Sequence, residues 1–124
     1  MFTNQQIADA KKSASYSDND HHHEHDDRIR IAYEWLDAQT KTKGPTAKRW
    51  ALKHVIENWA GRYVSQSDVE VAAHMHPEIT GSYPKYNISA RLIRPSSSRL
   101  TGIAEAHTQH YKETDTKLYA RDEQ

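Results

Sequence analysis

The 124-residue chain contains no cysteine, which excludes disulfides, thiolate metal ligands and a cysteine nucleophile together. It has no apolar run of membrane-spanning length, and its opening residues, MFTNQQIADAKK, lack an apolar signal core. A soluble, cytoplasmic protein without a membrane segment is expected. Apolar residues are scarce, at 35% with a mean hydropathy of -1.01, so the core must be thin and the chain is read as one small domain with an arm. No Gly-rich phosphate loop, nucleophile elbow or paired-carboxylate motif is present, and the expectation is a non-enzyme without a cofactor.

What is present is charge, balanced overall and divided along the chain. Of 17 basic and 17 acidic residues, positions 1–40 hold four basic and eight acidic, leaving 13 basic and nine acidic for 41–124. An acidic front precedes a basic back. Residues 1–26 read as an acidic, histidine-rich arm with a weak helix at about 3–11, since KSASYSDNDHHHEHDD has almost nothing to bury. Residues 18–27 would compete with an anionic ligand such as DNA for the basic face.

Residues 27–124 read as the folded domain. Its leading helix, 27–40, carries two apolar stripes: Ile29, Ala32, Tyr33 and Leu36 on one side, Ile31, Trp35 and Ala38 on the other. The second stripe needs a partner, either the remainder of the domain or the same helix of a second chain. The segment TAKRWALKHVIENWAG predicts a helix with Leu52, Val55, Ile56 and Trp59 buried and Gly61 as its cap. Ser67 and Glu70 are spaced as a capping box that opens a helix to about His76, before Pro77.

Between Pro84 and Pro95 lies KYNISARLIR, with Asn87 suited to an N-cap. Helical spacing over 87–94 puts Ile88, Leu92 and Ile93 on one side and Asn87, Ala90, Arg91 and Arg94 on the other. Further on, IAEAHTQHY (103–111) and KLYAR (117–121) can pair as a hairpin across KETDT, favoured by their threonines and tyrosines. A helix through Leu100, Ile103, Ala104 and His107 is the alternative.

In order and pattern, residues 46–121 resemble a winged helix-turn-helix domain of the kind found in small phage- and plasmid-encoded regulators. SQSDVEVAAHMH matches the second helix, NISARLIR the recognition helix and AEAHTQHYKETDTKLYAR the wing. The fold class implied is mainly α with a small β-hairpin, a winged helix-turn-helix preceded by an N-terminal helical arm. The function implied is a sequence-specific transcriptional regulator of duplex DNA, homodimeric through the helix at 27–40. Arg91 or Arg94 would contact guanine, Asn87 adenine or phosphate, and Ala90 a thymine methyl. Lys85, Ser97 and Arg99, with Lys112 and Lys117 from the wing, would reach the backbone. The connection from His76 to Asn87 is longer than the tight turn of that pattern. The alternative is a non-enzymatic interaction module that inhibits or recruits a host enzyme through Ile31, Trp35 and Ala38 or through the arm. His21, His22, His23 and His25 are metal-ligand types, but the segment predicts no packed frame to fix them, and a solvated arm is the default.

Overall fold

A computed structural model describes residues 1–46, 50–115 and 117–124. Ala47, Lys48 and Arg49, in the expected first turn of the second domain helix, and Thr116, in the expected wing tip, lie outside the described residues. The architecture is mainly helical: α1 (Asn4–Ser13), α2 (Asp26–Asp37), α3 (Leu52–Ala60) and α4 (Gln66–Met75). Among the described residues four two-residue strands follow, β1 (Gly81–Ser82), β2 (Lys85–Tyr86), β3 (Ile93–Arg94) and β4 (Arg121–Asp122), with a 3-10 turn at Ser97–Leu100. β1 and β2 form an antiparallel hairpin, and β3 pairs in parallel with β4.

The middle of the fold is α2, which packs chiefly on α4 and also touches α1, α3 and the 3-10 turn. Both of its apolar stripes are consumed by these neighbours. Ile31 and Trp35 are fully buried and Ala38 is nearly so, and Trp35 Nε1 donates to the Tyr119 hydroxyl at 3.1 Å. The expected dimer or partner surface is therefore interior. α2 starts where His25 Nδ1 accepts from the Asp27 amide at 3.0 Å, and Asp26 and Asp27 occupy the first turn, where the helix dipole favours negative charge.

α3 ends at Gly61, whose φ of 62° places it in the left-handed region, with the His107 backbone only 3.0 Å from where a Cβ would stand. α4 begins with a capping box, but at Ser65 and Asp68 rather than at Ser67 and Glu70: Ser65 Oγ accepts from the Asp68 amide and Asp68 Oδ2 from the Ser65 amide. Glu70 is thereby freed for a different contact.

The acidic arm is docked rather than solvated. Ile7 is fully buried and Ala10 nearly so, and α1 lies against α4 and α2. Beyond α1, the Ser17 amide donates to Glu70 Oε2 at 2.8 Å, His23 Nδ1 lies 2.7 Å from Asp68 Oδ1, and Ser65 Oγ donates to the His22 carbonyl. Polar composition misleads here because, beyond α1, the arm is held by hydrogen bonds to the N-terminal half of α4, which need no apolar pattern. Among the described residues, no helix is long and apolar enough to cross a membrane.

Replacing Trp35 by alanine removes a fully buried indole and the partner of Tyr119. A loss of about 3–5 kcal/mol is expected in urea denaturation. A side chain serving only as an exposed contact surface would shift stability by no more than about 0.5 kcal/mol.

Candidate nucleic-acid interface

The stretch expected to be a recognition helix is not helical: it bridges at Ile88, bends at Ala90 and Arg91 and ends in β3. Its backbone groups are engaged elsewhere before a helix can use them. The Asn87 amide donates to the Thr80 carbonyl and its carbonyl accepts from Thr42; the Ser89 amide donates to Thr40. Ile88 forms an isolated bridge with Lys41. Gln39 then takes both polar groups of Ile93, accepting from its amide at 2.9 Å and donating to its carbonyl at 2.8 Å. With prolines at both ends, the segment is also shorter than an isolated helix requires. The apolar set was correctly grouped all the same: Ile88, Leu92 and Ile93 are all buried.

Asn87, expected to read a base, is interior. Its side-chain oxygen accepts from the Thr80 amide at 2.7 Å, and its Nδ2 donates to the carbonyls of Thr42 and Glu78 at 3.1 and 2.9 Å. It is a splice between three chain segments. Arg94 is paired with Glu113 at 2.6 Å, an interaction that raises its pKa. Arg99 is bound by Glu123, Glu34 and Asp37, at 2.6, 2.9 and 3.0 Å. These two arginines are committed to the fold, and Ser97 is exposed at the start of the 3-10 turn.

The wing is replaced as well. Residues 103–111 form no strand, and wrap instead against the end of α3: the His107 amide donates to the Ala60 carbonyl and the Gln109 amide to that of Gly61. Glu105 pairs with Arg62 at 3.1 Å, and its amide donates to Asp27. The final segment turns towards β3, where the Ala120 amide donates to Leu92. Lys112 and Lys117 are exposed on this polar segment.

What the structure does bring together is two stretches without a carboxylate. Residues 38–56 and 79–104 contain no aspartate or glutamate. They are joined side by side by hydrogen bonds from Thr42 to Asn87, Ser89 to Thr40 and Thr46 to Tyr86, with Asn87 Nδ2 on the Thr42 carbonyl. Lys43, Ala90 and Arg91 are exposed along this edge and Lys85 is half-buried. No ion pair engages Lys43, Lys85 or Arg91 among the described residues, and none joins them to Glu78, the acidic residue that precedes the second stretch. Lys41 is turned back, its amine donating to the Asp37 carbonyl, and burial lowers its pKa. Composition alone showed the basic excess; the pairing of the two stretches was invisible in sequence because its partners lie 40 or more residues apart.

The four arm histidines have separate structural duties. His21 stacks on Tyr16 at 3.5 Å, His22 meets the Tyr63 ring edge-on at 6.1 Å, His23 bonds Asp68 and the Tyr16 hydroxyl, and His25 caps α2. Among the described residues no group of three or more His, Cys, Asp or Glu side chains converges to hold a metal ion.

Asn87→Ala leaves the Thr80 amide and the Thr42 and Glu78 carbonyls without their partner and is expected to cost about 2–4 kcal/mol in a denaturant melt. A residue that only contacted DNA would leave that midpoint in place. Acid sensitivity tests the Arg99 cluster. In Asp37, burial opposes ionisation, but hydrogen bonds from His76 and Arg99 outweigh it; in Glu123 the Arg99 hydrogen bond leads, and both carboxyls end below their ordinary range. Their contribution is complete above about pH 5 and is lost as pH falls through the lowered folded values. Arg99→Ala should therefore flatten the fall in stability between about pH 5 and pH 3, read from urea midpoints across that range. No family model, curated protein or solved structure matches the chain.

Proposed function

We propose that the protein is a non-enzymatic duplex-DNA-binding regulator that grips the phosphate backbone along the edge carrying Lys43, Lys85 and Arg91. The observation that carries this reading is the joining of the two carboxylate-free stretches. It concentrates cations with no acidic partner among the described residues, whereas Arg28, Arg62, Arg94 and Arg99 are each paired. Unpaired surface cations gain on meeting phosphate because condensed counterions are released from the DNA. Exposed Ala90 beside Arg91 permits close approach.

This reading needs neither a recognition helix nor a wing, and a winged helix-turn-helix is not part of it. Extended backbone can also present donors to DNA. A partner surface on Ile31, Trp35 and Ala38 is not proposed either, because those residues are interior.

Fluorescence anisotropy against duplex DNA at rising salt tests the proposal. Each phosphate contact contributes a slope of about -0.9 in log K against log salt. Lys43→Ala, Lys85→Ala and Arg91→Ala should each reduce the slope by about 1, and the triple variant should abolish binding while retaining the native melting profile. Absence of binding by the native protein at about 50 mM salt, or an unchanged slope in the triple variant, would overturn it.

A further inference from the structure

A cavity of about 240 Å³ lies where the docked arm, α4 and the β1–β2 hairpin meet, lined among others by Ser15, Glu70, His74, Ser82, Tyr83 and Tyr86. Its walls come from three segments. α4 supplies Glu70 and His74 one turn apart, the hairpin supplies the two tyrosines, and the arm closes the remaining side, with Ser13 Oγ 3.0 Å from His74 Nε2 and the Ser17 amide on Glu70.

Glu70 is the informative residue. It is 5% exposed, and a carboxylate so buried is costly unless its oxygens are satisfied. Oε2 accepts from Ser17, but Oε1 has no hydrogen-bond partner among the described residues and is not sealed from solvent. No lysine or arginine lines the cavity. The tyrosine rings stand 6.3 Å apart at 77°, forming a corner rather than a stack. Burial first, with the Glu70 charge adding to it, raises both tyrosine pKa values, while the Lys53 backbone amide works the other way on Tyr83. The two phenols thus stay neutral, and Glu70 is the one carboxylate among the lining residues.

We infer that this cavity is a binding site for a small organic cation, an alkylammonium group held by the Glu70 carboxylate and the Tyr83–Tyr86 corner. An ammonium satisfies Glu70 Oε1 with a charge-assisted hydrogen bond, and aromatic walls attract cations through the ring quadrupole. An anion would meet the carboxylate in the wall, and a purely apolar ligand would leave it desolvated and unpaired. The volume is below the range of drug-sized sites, which begins at about 300 Å³, so the ligand is small or is the end of a longer chain. The site goes beyond the proposed DNA contact, includes none of Lys43, Lys85 and Arg91, and does not depend on that contact.

Calorimetric titration of the full chain with choline, n-butylamine and Nα-acetyl-lysine amide tests the inference, with 3,3-dimethyl-1-butanol as the uncharged shape match of choline. Saturable binding of at least one cation is expected, with the neutral alcohol weaker by about tenfold or more. A free amine that outbinds the lysine derivative identifies a small-molecule ligand; the reverse order identifies a side chain of a partner. Glu70→Gln keeps an oxygen for Ser17 but removes the charge, and should weaken binding by about tenfold. Tyr83→Leu, at a half-buried position, should weaken it too and provides the test should Glu70→Gln not fold. No saturation by any of the cations below about 20 mM, equal binding of the neutral alcohol, or undiminished affinity in a folded variant would overturn the site.

Discussion

Asp68 is the constraint on which the other parts rest. Its carboxylate is fully buried, receives Arg28 Nε at 2.6 Å and the Ser65 amide at 2.9 Å, and lies 2.7 Å from His23 Nδ1. One side chain therefore caps α4, anchors α2 and fastens the arm. Arg28 is equally buried, its NH1 lacking a hydrogen bond and standing 3.6 Å from Glu24, while the Tyr63 ring lies 4.7 Å from the guanidinium carbon. A buried pair of this kind contributes little net stability compared with an apolar packing of equal volume, yet losing either partner strands a charge and costs several kcal/mol. Its effect is to fix which surfaces meet.

That fixing supplies what the thin core cannot. The chain's sparse apolar residues concentrate around α2, and the rest of the fold is joined through polar side chains that reach across long separations. Gln39 holds β3 by both its polar groups, Asn87 joins the hairpin to the strand-like stretch after α2, and Arg99 gathers Glu34, Asp37 and Glu123. Each such contact is modest when formed and expensive when half removed. The architecture is accordingly specific in its geometry and sensitive to single amide or guanidinium deletions.

The sequence was legible where the determinants are local. Apolar periodicity located α2 and α3, cap and proline signals located α4 to within a turn, and Gly61 marked the end of α3 because only the left-handed turn there demands glycine. It was misleading where the determinants are distant. Ile88, Leu92 and Ile93 are spaced as a helix face and are indeed buried, but Gln39 and Asn87 hold that backbone out of a helix. Periodicity reports which side chains are buried; it does not report which carbonyls and amides another segment has already claimed. The arm beyond α1 was missed for the complementary reason, since docking through hydrogen bonds such as Ser17 to Glu70 and His23 to Asp68 leaves little hydrophobic trace. The cavity was unreadable because Ser15, Glu70 and Tyr83 are far apart in the chain and each has a sufficient local explanation.

The arginines show how one residue type divides between structure and surface. Arg28 and Arg62 are desolvated and multiply bonded, and Arg94 and Arg99 carry carboxylate partners that raise their pKa values. Each of these is balanced inside the molecule, so its field is largely cancelled beyond a Debye length of about 8 Å at physiological salt. Arg91 has no such partner among the described residues, and neither do Lys43 and Lys85. A protein with no net formal charge can then present a locally basic edge, because Lys43, Lys85 and Arg91 lie in stretches that contain no carboxylate. The long-range electrostatics follow from internal pairing rather than from net charge.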